Sequence, residues 1–158
     1  MIDREARNIL AEQLRHFVSG LITNDEFNNR LPVKTQDTGF WAVEEEAWTL
    51  YSDWYQHRLT GSHSVATSDR HIICRLILFL YSDLEYEWKK HPCTGFFRMF
   101  AHIISSGRIP EHYDRKWKTQ GDYDVYPFFR RSDFEQENRK PKLLSGGVTE
   151  RSLSDPKV

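Results

Sequence analysis

Asp53 and His57 stand four residues apart, which on a helix places both side chains on one face. A carboxylate and an imidazole so placed can orient a base or hold two corners of a metal site. Two ligands do not complete such a site, and no HExxH or CxxC pattern supplies the others. The plainer reading is a surface hydrogen bond or ion pair beside Trp54.

A second group lies at Asp83, Glu85, Tyr86, Glu87 and Trp88. Paired carboxylates can do acid–base work or hold Mg²⁺. If the helix before them continues, Asp83 and Glu87 share a face and Glu85 points elsewhere, which weakens a three-carboxylate centre. Tyr and Trp are residue types enriched at the energetic centres of protein interfaces. The plainer reading is a solvated helix end beside Lys89 and Lys90; the better functional reading of these five residues is an interaction surface.

Other polar groups carry less. The seven histidines include His63 and His71 near the start of an apolar segment and scattered His91, His102 and His112; none has zinc-finger spacing. Lys116-Trp117-Lys118 and Phe128-Phe129-Arg130-Arg131 interleave bases with aromatics, as single-strand binders do. Asp114, Asp122, Asp124 and Asp133 surround them and argue for packed aromatics with solvated flanks. There is no phosphate-binding glycine loop, no GxSxG and no Cys–His nucleophile pattern.

The elements that must position these groups read as helices. Asp3 caps a first helix whose apolar residues, Ala6, Ile9, Leu10, Leu14, Phe17, Val18 and Leu21, follow three-and-four spacing up to Gly20. Thr23 and Glu26 form a capping box, and Ile22 and Phe27 occupy the positions of a hydrophobic staple. This second helix should end near Leu31, before Pro32. Asp37 or Thr38 opens a long helix with a broad stripe from Phe40 to Leu59 that includes Trp48, Trp54 and Tyr55. Glu44, Glu45 and Glu46 occupy its early turns.

Ser68 starts a helix apolar on most sides: Ile72, Ile73, Leu76, Ile77, Leu80 and Leu84 on one face, with Cys74, Leu78 and Phe79 over much of the rest. Such a helix is central and packed by several neighbours. Ser82-x-x-Glu85 has capping-box form, but Leu84 and Trp88 extend the stripe, so the helix is expected to continue. A fourth helix is expected from about Thr94 through Ile104, although its aromatic and β-branched content also permits a strand. Tyr113 to Phe129 reads as an irregular wrap, too apolar for a free linker. Ser132-x-x-Glu135 starts a short final helix, and residues 138–158 read as a flexible tail.

Four segments resemble a family of small bacterial proteins of uncharacterised function: FVSGLITNDEFNNRLP at 17–32, DWYQHRLTG at 53–61, ILFLYSDLEYEW at 77–88 and DYDVYPFFRRSDFE at 122–135. The resemblance covers most of the chain up to about residue 136. It implies a bacterial cytoplasmic protein and supplies no catalytic residue to carry over.

Size and composition bound the rest. A chain of 158 residues is within the range of one domain and needs no staples. With a formal net charge of −1, no part is basic enough to require nucleic acid. Cys74 reads as a small buried hydrophobe and Cys93 as a turn residue, with nothing that demands a disulfide. The N-terminus is charged from Asp3, unlike a signal peptide, and the longest apolar run is far too short to span a bilayer. The expectation is an all-α single domain over 1–137: a bundle of about four principal helices, short accessory helices and an irregular C-terminal wrap. No cofactor is implied. The leading function is a non-enzymatic cytoplasmic protein that binds another protein, of immunity or accessory type. The alternatives are a small metal-dependent or acid–base enzyme using Asp53, His57, Asp83 and Glu87, and a nucleic-acid binder using Lys116–Lys118 and Arg130–Arg131.

Overall fold

The computed structural model describes residues 1–52, 54–89 and 108–140. Asp53, the segment expected to form the fourth helix, Cys93, and residues 141–158 of the expected tail lie outside the described residues. The fold is all-α. Among the described residues there are six α-helices: α1 (Arg4–Val18), α2 (Asn24–Arg30), α3 (Thr38–Ala47), α4 (Arg70–Tyr81), α5 (Arg108–Lys118) and α6 (Arg131–Arg139). Short 3-10 turns occur at Trp48–Leu50, Gly61–His63 and Tyr123–Val125. No described helix is long and apolar enough to cross a membrane.

The local signals at the start of the chain operate as expected. Asp3 caps α1 by accepting the Ala6 N–H at 3.0 Å. The helix ends in a Schellman motif, in which the Gly20 N–H donates to Phe17 O and the Leu21 N–H to His16 O, both at 2.9 Å. Gly20 takes φ +72°, and a Cβ there would lie 2.3 Å from Thr60 Cγ2, so two constraints require glycine. The capping box of α2 is complete, with Thr23 N–H donating to Glu26 at 2.9 Å and Glu26 N–H to Thr23 Oγ1 at 3.2 Å. The staple residues Ile22 and Phe27 are both buried.

Helix α4 is central, packed by α1, α3 and α6. Ile73, Leu76, Phe79 and Leu80 are buried, and Ile72, Ile77 and Leu78 pack against the same core. Cys74 is exposed and not a buried hydrophobe. The core continues through Leu10, Leu14 and Phe17 of α1, Phe27 of α2, Phe40 and Val43 of α3, and Phe128.

The deepest polar feature joins α1 to α3. Arg7 lies on the inward face of α1, fully buried, and forms a two-pronged ion pair with buried Asp37: Nε to Oδ2 at 2.6 Å and Nη2 to Oδ1 at 2.9 Å. The Arg7 Nη1 donates to Ser82 O at 3.2 Å and Leu84 O at 2.8 Å. Asp37 also accepts the N–H groups of Asp3, Gly39 and Phe40, and so caps α3 while pairing with α1. Burial alone would raise the Asp37 pKa. Hydrogen bonds from Arg7, the Asp3 N–H, the Arg7 charge and the Gly39 N–H more than offset it and hold the carboxyl below its ordinary value.

Four expected elements differ. The helix opened by Asp37 stops at Ala47 and tightens into a 3-10 turn, so it does not run to Leu59. The reason is tertiary: buried Asn24 donates to Ser52 O and Tyr55 O and accepts the His57 N–H at 2.9 Å, which holds Ser52 and residues 54–57 on α2 in non-helical backbone. Trp54 and Tyr55 are therefore exposed rather than part of a buried stripe. Helix α4 ends at Tyr81 and does not continue to Trp88. Ser82 takes extended backbone, and both its N–H and its hydroxyl donate to Phe79 O. The expected wrap after Tyr113 begins as the helix α5 and turns irregular only after Lys118. The last helix starts at Arg131, ahead of its expected cap Ser132, and Arg130 occupies the cap position with no side-chain hydrogen bond.

Gly39 marks how closely α3 approaches the ion pair. A Cβ there would lie 2.6 Å from Arg7 Nη2 and 2.9 Å from Phe79 Cε1. Gly39→Ala should cost about 1–3 kcal/mol in urea unfolding, the usual penalty for overpacking. Unchanged stability would mean that Arg7 has room to retreat.

Candidate functional site

Residues 82–88, SDLEYEW, alternate in burial along their whole length. Ser82 and Trp88 are buried and Leu84 and Tyr86 half-buried, whereas Asp83, Glu85 and Glu87 are exposed. A period of two is that of an extended chain lying on a core, not of a helix. The carboxylates are thus brought into one outward row, and Tyr81, the last residue of α4, is also exposed. The helical arrangement expected from the sequence, with Glu85 turned away from Asp83 and Glu87, does not occur.

Arginines fix the segment at both ends. Arg4 donates to Leu80 O at 2.6 Å, to Ser82 O, and to the Asp83 carboxylate at 2.7 Å. Arg7 reaches Ser82 O and Leu84 O from beneath. At the far end Arg130 grips Glu87 in two-pronged fashion at 2.6 and 2.7 Å. Hydrogen bonding to Glu87 and its charge raise the Arg130 pKa. Glu85 lies 3.4 Å from the Met1 amino group. Asp83 and Glu85 remain 90% and 70% exposed, so these outer pairs are screened by water and weak.

The inward residues are structural. Trp88 is only 3% exposed. Its indole N–H donates to Phe128 O at 3.2 Å, and its ring packs on Trp117, Tyr123, Tyr126 and Phe129. It anchors the C-terminal wrap; of the five residues assigned to the surface, Tyr86 and Trp88 face the core. The Tyr86 hydroxyl lies 3.3 Å from that of Tyr126. Burial pushes the Tyr86 pKa up to about 12 and raises Tyr126 still further, with Glu45 and Glu46 adding to both. Both phenols stay protonated near neutral pH.

The other expected groups are dispersed. His57 packs on Tyr51, which meets Phe17 at the C-terminal end of α1. Asp83 is paired with Arg4 at the opposite end. Thirteen residues of helix separate the two positions by about 20 Å, so His57 and Asp83 do not converge. Among the described residues no group of three or more His, Cys, Asp and Glu side chains is placed to hold a metal ion. Arg131 binds Asp122 and Asp124, Arg130 binds Glu87 and Asp133, and Lys118 lies 4.3 Å over the Tyr123 ring. These bases form no continuous cationic track.

An open cavity of about 650 Å³ lies where the caps of α1 and α3 meet, lined by residues that include Ile2, Arg4, Lys34 and Thr35. Its carboxylates are occupied: Asp3 caps α1 and accepts the Thr35 hydroxyl, and Asp37 holds Arg7. No protein-family model matches the chain, and neither the search of curated proteins nor that of solved structures returns a match.

The anchor and the outward row separate by mutation. Trp88→Ala should destabilise the fold by about 3–5 kcal/mol. Glu85→Gln should shift stability by no more than about 0.5 kcal/mol. Denaturant unfolding monitored by circular dichroism reads both, and a tolerated Trp88→Ala would remove Trp88 from the core.

Proposed function

We propose that this chain works by capturing a protein partner with a basic surface, and that Tyr81, Asp83, Glu85 and Glu87 form its contact row. The observation that supports this reading is the alternation over 82–88. It presents three carboxylates on one side of a segment whose backbone two arginines hold, next to the exposed Tyr81 at the end of α4. A pre-organised segment loses little entropy on binding. The outer ion pairs can exchange for a partner's lysines and arginines at small cost, and a row of one sign steers the encounter. An immunity or accessory role is one form of such capture and calls for a basic partner. The acid–base alternative has less support, because His57 and Asp83 stand at opposite ends of α1. The nucleic-acid alternative has less support, because Lys118, Arg130 and Arg131 form no continuous cationic track.

The test is a pull-down from a bacterial lysate with the wild-type chain and with Asp83→Lys/Glu85→Lys/Glu87→Lys. The expected result is a basic protein retained by the first and lost by the second, with both chains equally folded by circular dichroism. Retention by both would remove the row from the interface.

A further inference from the structure

The loop that Asn24 holds against α2 brings two histidines together. The His57 and His63 ring centroids are 5.1 Å apart. With metal–nitrogen bonds of about 2.0–2.1 Å and a tetrahedral angle, two imidazoles on one metal ion have centroids about 5.2 Å apart. From this match the geometry points to a two-histidine site, His57 and His63, for a divalent ion of the imidazole-preferring kind such as Zn²⁺ or Cu²⁺, with solvent completing the coordination.

The surroundings fit that chemistry. A ligating histidine commonly donates its second ring N–H to a backbone carbonyl, which fixes the ring and frees the other nitrogen. His57 Nδ1 lies 3.0 Å from Tyr55 O, which leaves Nε2 for the metal. The Tyr55 hydroxyl lies 3.4 Å from His63 Nε2 and can accept its N–H, which leaves Nδ1 as ligand. Both backbones are fixed in advance. The His57 N–H donates to Asn24 Oδ1 and its carbonyl accepts the Asn24 N–H, while the His63 N–H donates to Thr60 O at 3.1 Å. His63 is exposed and His57 half-buried, so an ion can enter from solvent. The nearby Arg58 cation is turned away, donating to Gly20 O and Leu21 O. This site stands independently of the acidic row and lies at the other end of α1. Its occupation would tie the loop after α3 to the turn before α4.

Calorimetric titration of the full chain with Zn²⁺ at pH 7.5 tests the assignment, alongside Cu²⁺ electron paramagnetic resonance to count coordinated nitrogens. The expected result is one site with two imidazole nitrogens. His57→Gln and His63→Gln should each weaken binding at least tenfold, which is about the loss caused even by an outer-shell partner. If either variant fails to melt cooperatively, Asn substitution at the same position replaces it. Zn²⁺ binding unchanged in both folded variants, or no binding by the wild-type chain, would overturn the site.

Discussion

The buried pair between Arg7 and Asp37 is the interaction on which the other parts depend. Taking two charges out of water costs several kcal/mol each, and their attraction offsets this only when every polar atom finds a partner. That requirement is met here by the architecture itself. Asp37 uses its oxygens to pair with α1 and to cap α3. Arg7 uses its remaining donors on the carbonyls of Ser82 and Leu84. One guanidinium therefore fixes the first helix, the start of the third and the chain that leaves the fourth. Gly39 follows from this arrangement, because only a residue without a side chain lets α3 come so near.

The acidic row inherits its shape from the same pair. With Ser82 and Leu84 held by their carbonyls, the chain after Tyr81 cannot continue as a helix and runs extended across the core. Alternation then follows from geometry: Leu84, Tyr86 and Trp88 turn inward, and Asp83, Glu85 and Glu87 turn outward. Trp88 completes the device by seating the C-terminal aromatics, Trp117, Tyr123, Tyr126 and Phe129, around one indole. The surface proposed for partner capture is thus a by-product of how a buried charge is satisfied.

Much of the fold was legible where the controlling contacts are local. The cap at Asp3, the stop at Gly20 and the capping box of Thr23 and Glu26 all rest on neighbours within a few residues, and the central position of α4 shows in its apolar residues on most sides. The errors fall where a distant residue decides. Nothing near Trp48 announces that Asn24 will hold Ser52, Tyr55 and His57, and nothing near Ser82 announces that Arg7 will hold its carbonyl. Two signals were nevertheless present. SDLEYEW carries a period of two that Leu84 and Trp88, counted as helix positions, obscured. Arg7 sits on the apolar face of α1, three and four residues before Leu10 and Ala11, where a charge requires a partner. The identity of that partner, thirty residues onward, is a tertiary fact.

The central claim is that Arg7 and Asp37 stabilise the fold as a coupled pair, and a double-mutant cycle in urea tests it most directly. Arg7→Met and Asp37→Asn should each cost about 3–5 kcal/mol at pH 7, because each leaves the other group buried and unmatched. The double variant should cost less than their sum by more than about 1 kcal/mol. The pKa of Asp37 is lowered in the fold, so the coupling is fully present above the ordinary aspartate value of 3.8 and is lost as the pH falls through the depressed one. Costs that add to within about 0.5 kcal/mol at pH 7 would show two independent residues and contradict the account.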